Sequence, residues 1–352
     1  MTSALDVLWE QGRAVTSGLS EPAYFIFDPS KRIFWGYLLG SLLIAGVVGA
    51  FQKRGGASWL GLLYQNLLSP RIWLHPSSLL DLKLMFAKSL FKAVVVIPWL
   101  FSAYGLALGV VRLASDTLGP AEPMAWHDST VTMLYTVVLF TSSDLSRYVL
   151  HRLCHKIPLL WQFHQVHHSA EVMTPLTLYR SHPIEGLLYF VRGVSVTGMI
   201  TGLFFYFFGA QTIQLQFLGV NILGLLFNML GANLRHSHVW ISYGPIIERI
   251  FLSPAQHQTH HSALPHHHNT NFGSCLALWD QLAGSLRIAH KQDDVVYGLP
   301  HQQSNHHPHK LTSALVGPLV ASVKLVAKNM KLGRNPIQLE GEITAPRDEA
   351  ST

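Results

Sequence analysis

Charge is what this 352-residue chain has least of: Asp, Glu, Lys and Arg make up 12% of it, about half the roughly 25% of an ordinary soluble domain. With 49% apolar residues beside so few charges, it lacks the material for a typical cytosolic surface, and its expected solvent is a bilayer. Thiols are nearly as scarce. Two cysteines, Cys154 and Cys275, argue against a disulfide framework and give little thiolate support to any metal site. No GxGxxG fingerprint is present, no solenoid period or coiled-coil heptad recurs, and residues 1–30 show no basic start leading into an early apolar core, so no cleavable signal is expected. The net charge of +6 sits near apolar-run ends rather than in a patch interleaved with aromatics, which points to lipid headgroups and not to nucleic acid.

What is present is apolar length. Ile33 to Phe51 and Ala93 to Val111 come close to the roughly 20 residues a helix needs to cross a bilayer. Gly186 to Phe208 and Ile213 to Leu230 read as a second pair joined at Gly209-Ala210-Gln211, an antiparallel hairpin. Thr130 to Ser143 is shorter and is expected to continue as one helix through Asp144 and Arg147. The sequence from Ser58 suits a helix in the headgroup plane, and Leu311 to Val326 forms one further helical stretch before a tail whose last dozen residues are expected to be disordered. The expected fold is an all-α polytopic membrane bundle of about four to five spans. Its organisation is an N-terminal segment (1–30), membrane spans with an interfacial helix (31–129), a catalytic unit (130–290) and a C-terminal tail (291–352). Lys53, Arg54, Arg71, Lys83, Lys88 and Lys92 follow the first span, whereas Arg112 alone follows the second. The positive-inside bias therefore places 52–92 in the cytoplasm and, by alternation, 151–180 and everything after Arg235 with it. Five crossings put the N-terminus outside.

Histidine is abundant, and its placement is ordered. Eleven of the 21 histidines lie between residues 151 and 261. His151 and His155 stand at i and i+4; His164, His167 and His168 stand at i, i+3 and i+4, and His257, His260 and His261 repeat that spacing. On a helix each set shares one face. His182, His236 and His238 lie between the clusters. One zinc ion takes three or four ligands, so this supply fits two metals better than one, and nitrogen ligation suits iron, copper or zinc. A single HxxxH pair would be unremarkable on a helix surface; two HxxHH motifs beside one make a ligand set the better reading. His238 stays open. No helical face organises His266, His267 and His268, nor His301, His306, His307 and His309, which read as loop residues; His75 and His127 read as interfacial. Asp144, two turns before His151, and Glu185, three residues after His182, are placed to accept the free N–H of a ligating imidazole. An ordinary helix-end charge is the alternative for each.

Together HRLCH, WQFHQVHHS, YRSHPIE, LRHSH, SPAQHQTHH, NTNFG and WDQLAGS resemble the fatty acid hydroxylase and sterol desaturase superfamily over roughly 130–290. The resemblance implies two irons, held by His151, His155, His164, His167, His168, His236, His257, His260 and His261, that activate dioxygen; His182 matches a recurrent family position and is carried with them. It implies a lipid substrate, an external electron-donor protein, and a bacterial inner membrane or endoplasmic-reticulum-type membrane with the site facing the cytoplasm. The expected activity is hydroxylation of an unactivated C–H bond. Desaturation on the same scaffold is the alternative. A histidine-rich metal transporter is the rival from another class, disfavoured because the spans carry almost no His, Asp or Glu at mid-membrane. The chain departs from the family where HxN reads His236-Ser237-His238, where NYG reads Asn271-Phe272-Gly273, and where WDxxFGT ends in Leu282-Ala283-Gly284-Ser285.

Overall fold

Proline and side-chain caps cut this apolar chain into helices. The computed structural model describes residues 4–51, 58–96, 102–289, 294–299 and 309–332. Helices α1 (Ala4–Tyr24) and α2 (Trp35–Phe51) open the chain, and short α3 (Trp59–Leu63) and α4 (Pro70–Trp73) lead to α5 (Pro76–Phe91). Ser69 and His75 cap α4 and α5, each with a proline at the first helical position, where its missing N–H costs nothing. Helix α6 (Ala103–Leu118) precedes the longest helix, α7 (Asp128–Lys156), and α8 (Pro158–His168) follows after a single residue. Helix α9 (Pro183–Phe208) leads through a small hairpin, β1 (Gln216–Phe217) with β2 (Val220–Asn221), to α10 (Ile222–Met229). Short α11 (Gly244–Ile247), α12 (Pro254–His260) and α13 (Leu278–Leu282) carry the last motifs, and α14 (Leu311–Lys331) packs on α8.

The mostly helical character agrees with expectation, and α7 runs unbroken from the apolar stretch into HRLCH. Two expected spans are not single helices. The Ala93 to Val111 run is interrupted: a π turn occupies Lys92–Val96, residues 97–101 lie outside the described residues, and Ser102 starts α6 afresh by accepting the Gly105 N–H. The Ile213 to Leu230 run is broken by a two-residue turn, Leu218-Gly219, with φ of 53° and 73°. Asn221 then caps an α10 of only 8 residues, about 12 Å long. Among the described residues, two helices are long and apolar enough to cross a membrane, Pro183–Gln211 and Leu311–Lys331, with Trp35–Phe51 apolar but shorter. They are little buried: Met199, Leu203 and Phe205 of α9 and Val316 and Val323 of α14 all face outward. The expected residues His301, His306 and His307 and the acidic tail lie outside the described residues.

Helices α6 and α9 pack closely because glycines on α9 leave room for the α6 backbone. A Cβ at Gly202 would lie 2.7 Å from the Ala107 carbonyl oxygen and 2.6 Å from Val110 Cβ, whereas one at Gly193 would meet nothing within 4 Å. Behind this pair a buried polar brace ties α5 to the loop before α9. Arg180 is fully buried; it donates to Asp81 at 2.9 Å, to the Ser77 carbonyl at 3.0 Å and to the Val166 carbonyl at 3.0 Å, and Thr177 donates to the other Asp81 oxygen at 2.8 Å. Breaking such a pair from one side leaves a charge buried without its partner.

The α6–α9 contact makes a direct prediction. Gly202→Ala should destabilise the detergent-solubilised protein by about 1–3 kcal/mol through overpacking. Gly193→Ala, at an open helix position, should be neutral or stabilise it by up to about 1 kcal/mol. Thermal unfolding of the two variants side by side checks this, and equal loss in both would refute the packing account.

Candidate metal centre

Pro158 creates the first half of the site. A residue before proline is disfavoured in the helical region, and Ile157 is extended at φ −99°, ψ 114°, so α7 ends and α8 turns back against it. That turn sets His151 and His155 opposite His164 and His168. The second half comes from a 3-10 turn, Ala232–His236, packed on α12. Helix α12 starts on a reciprocal capping box in which Ser253 accepts the Gln256 N–H and Gln256 accepts the Ser253 N–H.

Nine imidazoles meet in two groups. His151, His155, His164, His168 and His260 form one; His167, His236, His257 and His261 form the other, with candidate ligand atoms in each within 4.8 Å of one another. The HxxHH motifs do not act as units on one face, as their spacing suggested. Each divides, His164 and His168 from His167, and His260 from His257 and His261, since successive helical residues point about 100° apart.

The protonation pattern follows from the partners. Nδ1 of His151 donates to the Phe272 carbonyl at 2.7 Å, that of His260 to the Thr270 carbonyl at 2.7 Å, that of His167 to the Arg180 carbonyl at 3.1 Å, and that of His164 to Glu185 Oε1 at 2.8 Å. These oxygens only accept, so each ring carries its proton on Nδ1 and turns a lone pair inward on Nε2. In the first group the Nε2 atoms of all five rings are buried with no hydrogen-bond partner. In the second, Nε2 of His236, His257 and His261 lie 3.1–3.3 Å apart in a triangle. Three neutral rings cannot all donate around a triangle that their lone pairs fill, whereas a cation relieves it. Ligand nitrogens about 2.1 Å from one ion lie about 3.4 Å apart in a tetrahedron and about 3.0 Å apart in an octahedron, which brackets the observed edges. Burial pushes His151, His164 and His167 down to about 3, and it holds His236, His257, His260 and His261 well below the ordinary imidazole value. Every ring is held neutral, the form a metal requires.

Three expected residues sit elsewhere than their spacing implied. His182 stands outside both groups: its Nδ1 accepts the Ile184 N–H at 3.1 Å, capping α9, and its Nε2 donates to the Leu315 carbonyl of α14 at 2.9 Å, so both nitrogens are engaged by protein. Glu185 serves His164 rather than the His182 ring. Asp144 touches no imidazole; it accepts the N–H groups of Cys275 and Leu276 and the Trp279 indole, at 2.9–3.0 Å. It anchors the strand of chain whose Phe272 carbonyl holds His151. His238, left open by the sequence, accepts the Met173 N–H at 3.2 Å and lies in neither group. His266 and His267 occupy a short 3-10 turn outside both groups, with His268 as its C-cap. A looser surface group, His75, Glu171 and His309, is already committed in part: His75 Nδ1 accepts the Ser77 N–H, and His309 Nε2 pairs with Glu171 at 3.0 Å.

Sequence reasoning missed the residues that set the second ring of contacts. Asp280 accepts the Phe272 and Gly273 N–H groups and the Ser285 hydroxyl at 2.7–2.9 Å, which fixes the carbonyl facing His151. Arg180 does the same for His167. Both lie inside quoted motifs, WDQLAGS and YRSHPIE, so their position was visible although their role was not. The Thr270 and Phe272 carbonyls are backbone atoms and leave no sequence signal. A cavity of about 900 Å³ opens from His151, His164, His167, His236 and His257 toward apolar side chains including Phe25, Met85, Leu139 and Phe190.

Residues 136–285 match the model of the fatty acid hydroxylase family. Among curated proteins, the chain is 32% identical over 162 residues to an alkylglycerol monooxygenase of Danio rerio, covering 46% of this chain and 32% of that one. It is 30% identical over 198 residues to the ornithine lipid hydroxylase OlsE of Rhizobium tropici, covering 51% and 54%. It is 25% identical over 302 residues to a Delta(7)-sterol 5(6)-desaturase of Eremothecium gossypii, covering 78% and 74%. The chain thus spans about a third to a half of the length of the first two. No solved structure matches it. The matched residues hold every ring of both groups, so the part of the chain that carries the candidate metal centre is the part that is similar to the fatty acid hydroxylase family.

Proposed function

We propose that the chain is a membrane-embedded di-iron oxygenase that hydroxylates an unactivated C–H bond of a lipid. The observation that carries this is the pair of neutral-imidazole groups, one with five unpartnered Nε2 atoms and the other with three Nε2 atoms crowded against one another, beside a cavity lined in part by apolar side chains. When bound, two irons would supply dioxygen activation; one oxygen atom enters the C–H bond and the other leaves as water, with two electrons and two protons from an external reductant. His151, His155, His164, His168 and His260 would hold one ion, and His167, His236, His257 and His261 the other. Glu185 and the carbonyls of Phe272, Thr270 and Arg180 hold the rings in the ligating tautomer. The apolar walls exclude water and orient the lipid chain toward the rings.

The outward-facing apolar surfaces of α9 and α14 support placement in a bilayer. The lysine and arginine bias supports a cytoplasm-facing site in a bacterial inner or endoplasmic-reticulum-type membrane, within reach of an electron-donor protein. The relatives' names, alkylglycerol monooxygenase and ornithine lipid hydroxylase, support a lipid substrate. Desaturation is a second reading, favoured by the sterol desaturase that aligns along 78% of the chain. Comparative lipidomics of cells with and without the chain tests both: hydroxylation adds the mass of one oxygen, desaturation removes two hydrogens, and no oxidised lipid at all overturns the proposal.

Metal analysis gives a second test. Protein purified with iron supplied should hold about two ions per chain, because nine rings exceed what one ion coordinates. His164→Ala and His257→Ala, one from each group, should each lower the count, while His182→Ala retains it. One ion or fewer in the unaltered protein at full occupancy would defeat the two-metal reading. Glu185→Leu, which leaves the His164 N–H without its acceptor, should weaken metal binding about 10- to 100-fold, with Glu185→Gln milder; equilibrium dialysis against a chelator measures it.

A further inference from the structure

The cavity that reaches the histidines is lined by far more positive than negative charge. Lys31 and Lys92 both contact Glu21, at 3.4 and 3.5 Å. The other two carboxylates on the wall are occupied, Asp144 by three N–H donors and Glu185 by His164. Five cations remain on the lining, Arg32, Lys88, Arg147, Arg192 and Arg235, and none has a carboxylate within 4 Å among the described residues. Lys88 donates to the Ser181 hydroxyl and the Tyr179 carbonyl, Arg192 to the Ser143 carbonyl and the Ser146 hydroxyl, and Arg235 to the carbonyls of Ala232 and Ser274. The guanidinium groups of Arg32 and Arg147 make no hydrogen bond to protein among the described residues.

Two of these charges are brought to one aromatic ring. Arg32 and Arg235 both lie over Phe227, with guanidinium carbons 5.5 and 4.9 Å from its centroid. Like charges converging in a partly desolvated space repel, and a cation–π contact offsets only part of that. An anion among them reverses the sign of the interaction. Guanidinium forks match the oxygens of a phosphate better than they match any uncharged headgroup. The same cavity has Phe25, Met85, Val96, Leu139, Phe140 and Phe190 on its walls, so it offers a cationic end and an apolar length in one volume of about 900 Å³, within the range that encloses small ligands.

Resting on the reading that this cavity admits the lipid, we infer that the substrate is an amphiphile with an anionic, phosphate-type headgroup, held by Arg32, Arg147 and Arg235 beside the two histidine groups. Neutral alcohols and sterol-like lipids would leave the five cations without a counter-charge and are disfavoured. The headgroup is recognised at the cationic end of the cavity, where Arg235 is buried, Arg32 half-buried and Arg147 exposed.

Binding to the purified full chain in an uncharged detergent tests this, with three probes: a 1-acylglycerol 3-phosphate, the uncharged monoacylglycerol of the same chain length, and inorganic phosphate. The phosphate amphiphile should bind at least about tenfold more tightly than the uncharged one at moderate salt. Arg32→Gln and Arg147→Gln should each reduce that preference severalfold. Raising the salt concentration should also narrow it in the unaltered protein, a reading that needs no variant. Equal affinity for the two amphiphiles overturns the inference, as does a preference unchanged in both variants. Inorganic phosphate competing as strongly as the amphiphile would show a small-anion site and overturn it too. The measurement needs neither oxygen nor reductant. A chain that keeps the headgroup preference yet oxidises no lipid would therefore sink the oxygenase proposal and leave this inference standing.

Discussion

Nine imidazoles share one buried volume, and each has one N–H and one lone pair to place. That constraint governs the rest of the site. A ring cannot donate from both nitrogens while neutral, and burial keeps it neutral. If the N–H points outward to an oxygen, the lone pair must point inward to the other rings. The fold supplies outward oxygens from several sources: Glu185 on α9, the carbonyl after Tyr179, and the Thr270 and Phe272 carbonyls. Much of the remaining polar structure exists to keep those acceptors still. Asp280 and Asp144 pin the segment around Phe272, and the Asp81–Arg180 pair pins the segment that serves His167.

The histidines were legible because helical spacing is written directly in sequence. His151 with His155, and the two HxxHH runs, needed only the period of 3.6 residues to be grouped. The division of each HxxHH between two groups was not legible, since it depends on what faces each side of α8 and α12, which tertiary packing decides. The same reason explains Asp144. Its two-turn offset from His151 correctly put both on α7, but the loop from Cys275 reaches it first. His182 shows the limit from the other side: its place before Pro183 is that of an N-cap, and a capping imidazole has a nitrogen already committed.

For the fold, α9 was visible as a long apolar run and α7 as a shorter one continued through Asp144 and Arg147, whereas the segments around 93–111 and 213–230 misled because hydropathy counts composition and not backbone breaks. Ser102 and Leu218-Gly219 interrupt runs that remain apolar throughout. The charged cavity wall was the least legible part. Arg32, Arg147, Arg192 and Arg235 are separated by as much as two hundred residues and looked like ordinary basic flanks of apolar segments; only the folded chain gathers them on one lining.

The division of rings along α8 and α12 has a consequence for how such a protein can change over generations. His167 and His168 are neighbours in the chain yet belong to different groups, and His260 and His261 repeat the arrangement. Gaining or losing one residue upstream within either helix would rotate everything beyond it by about 100°, turning both groups' rings away from their places at once. Loops at the far ends of the helices can lengthen freely, but within these two short helices the reading frame of the metal centre tolerates substitution and not insertion.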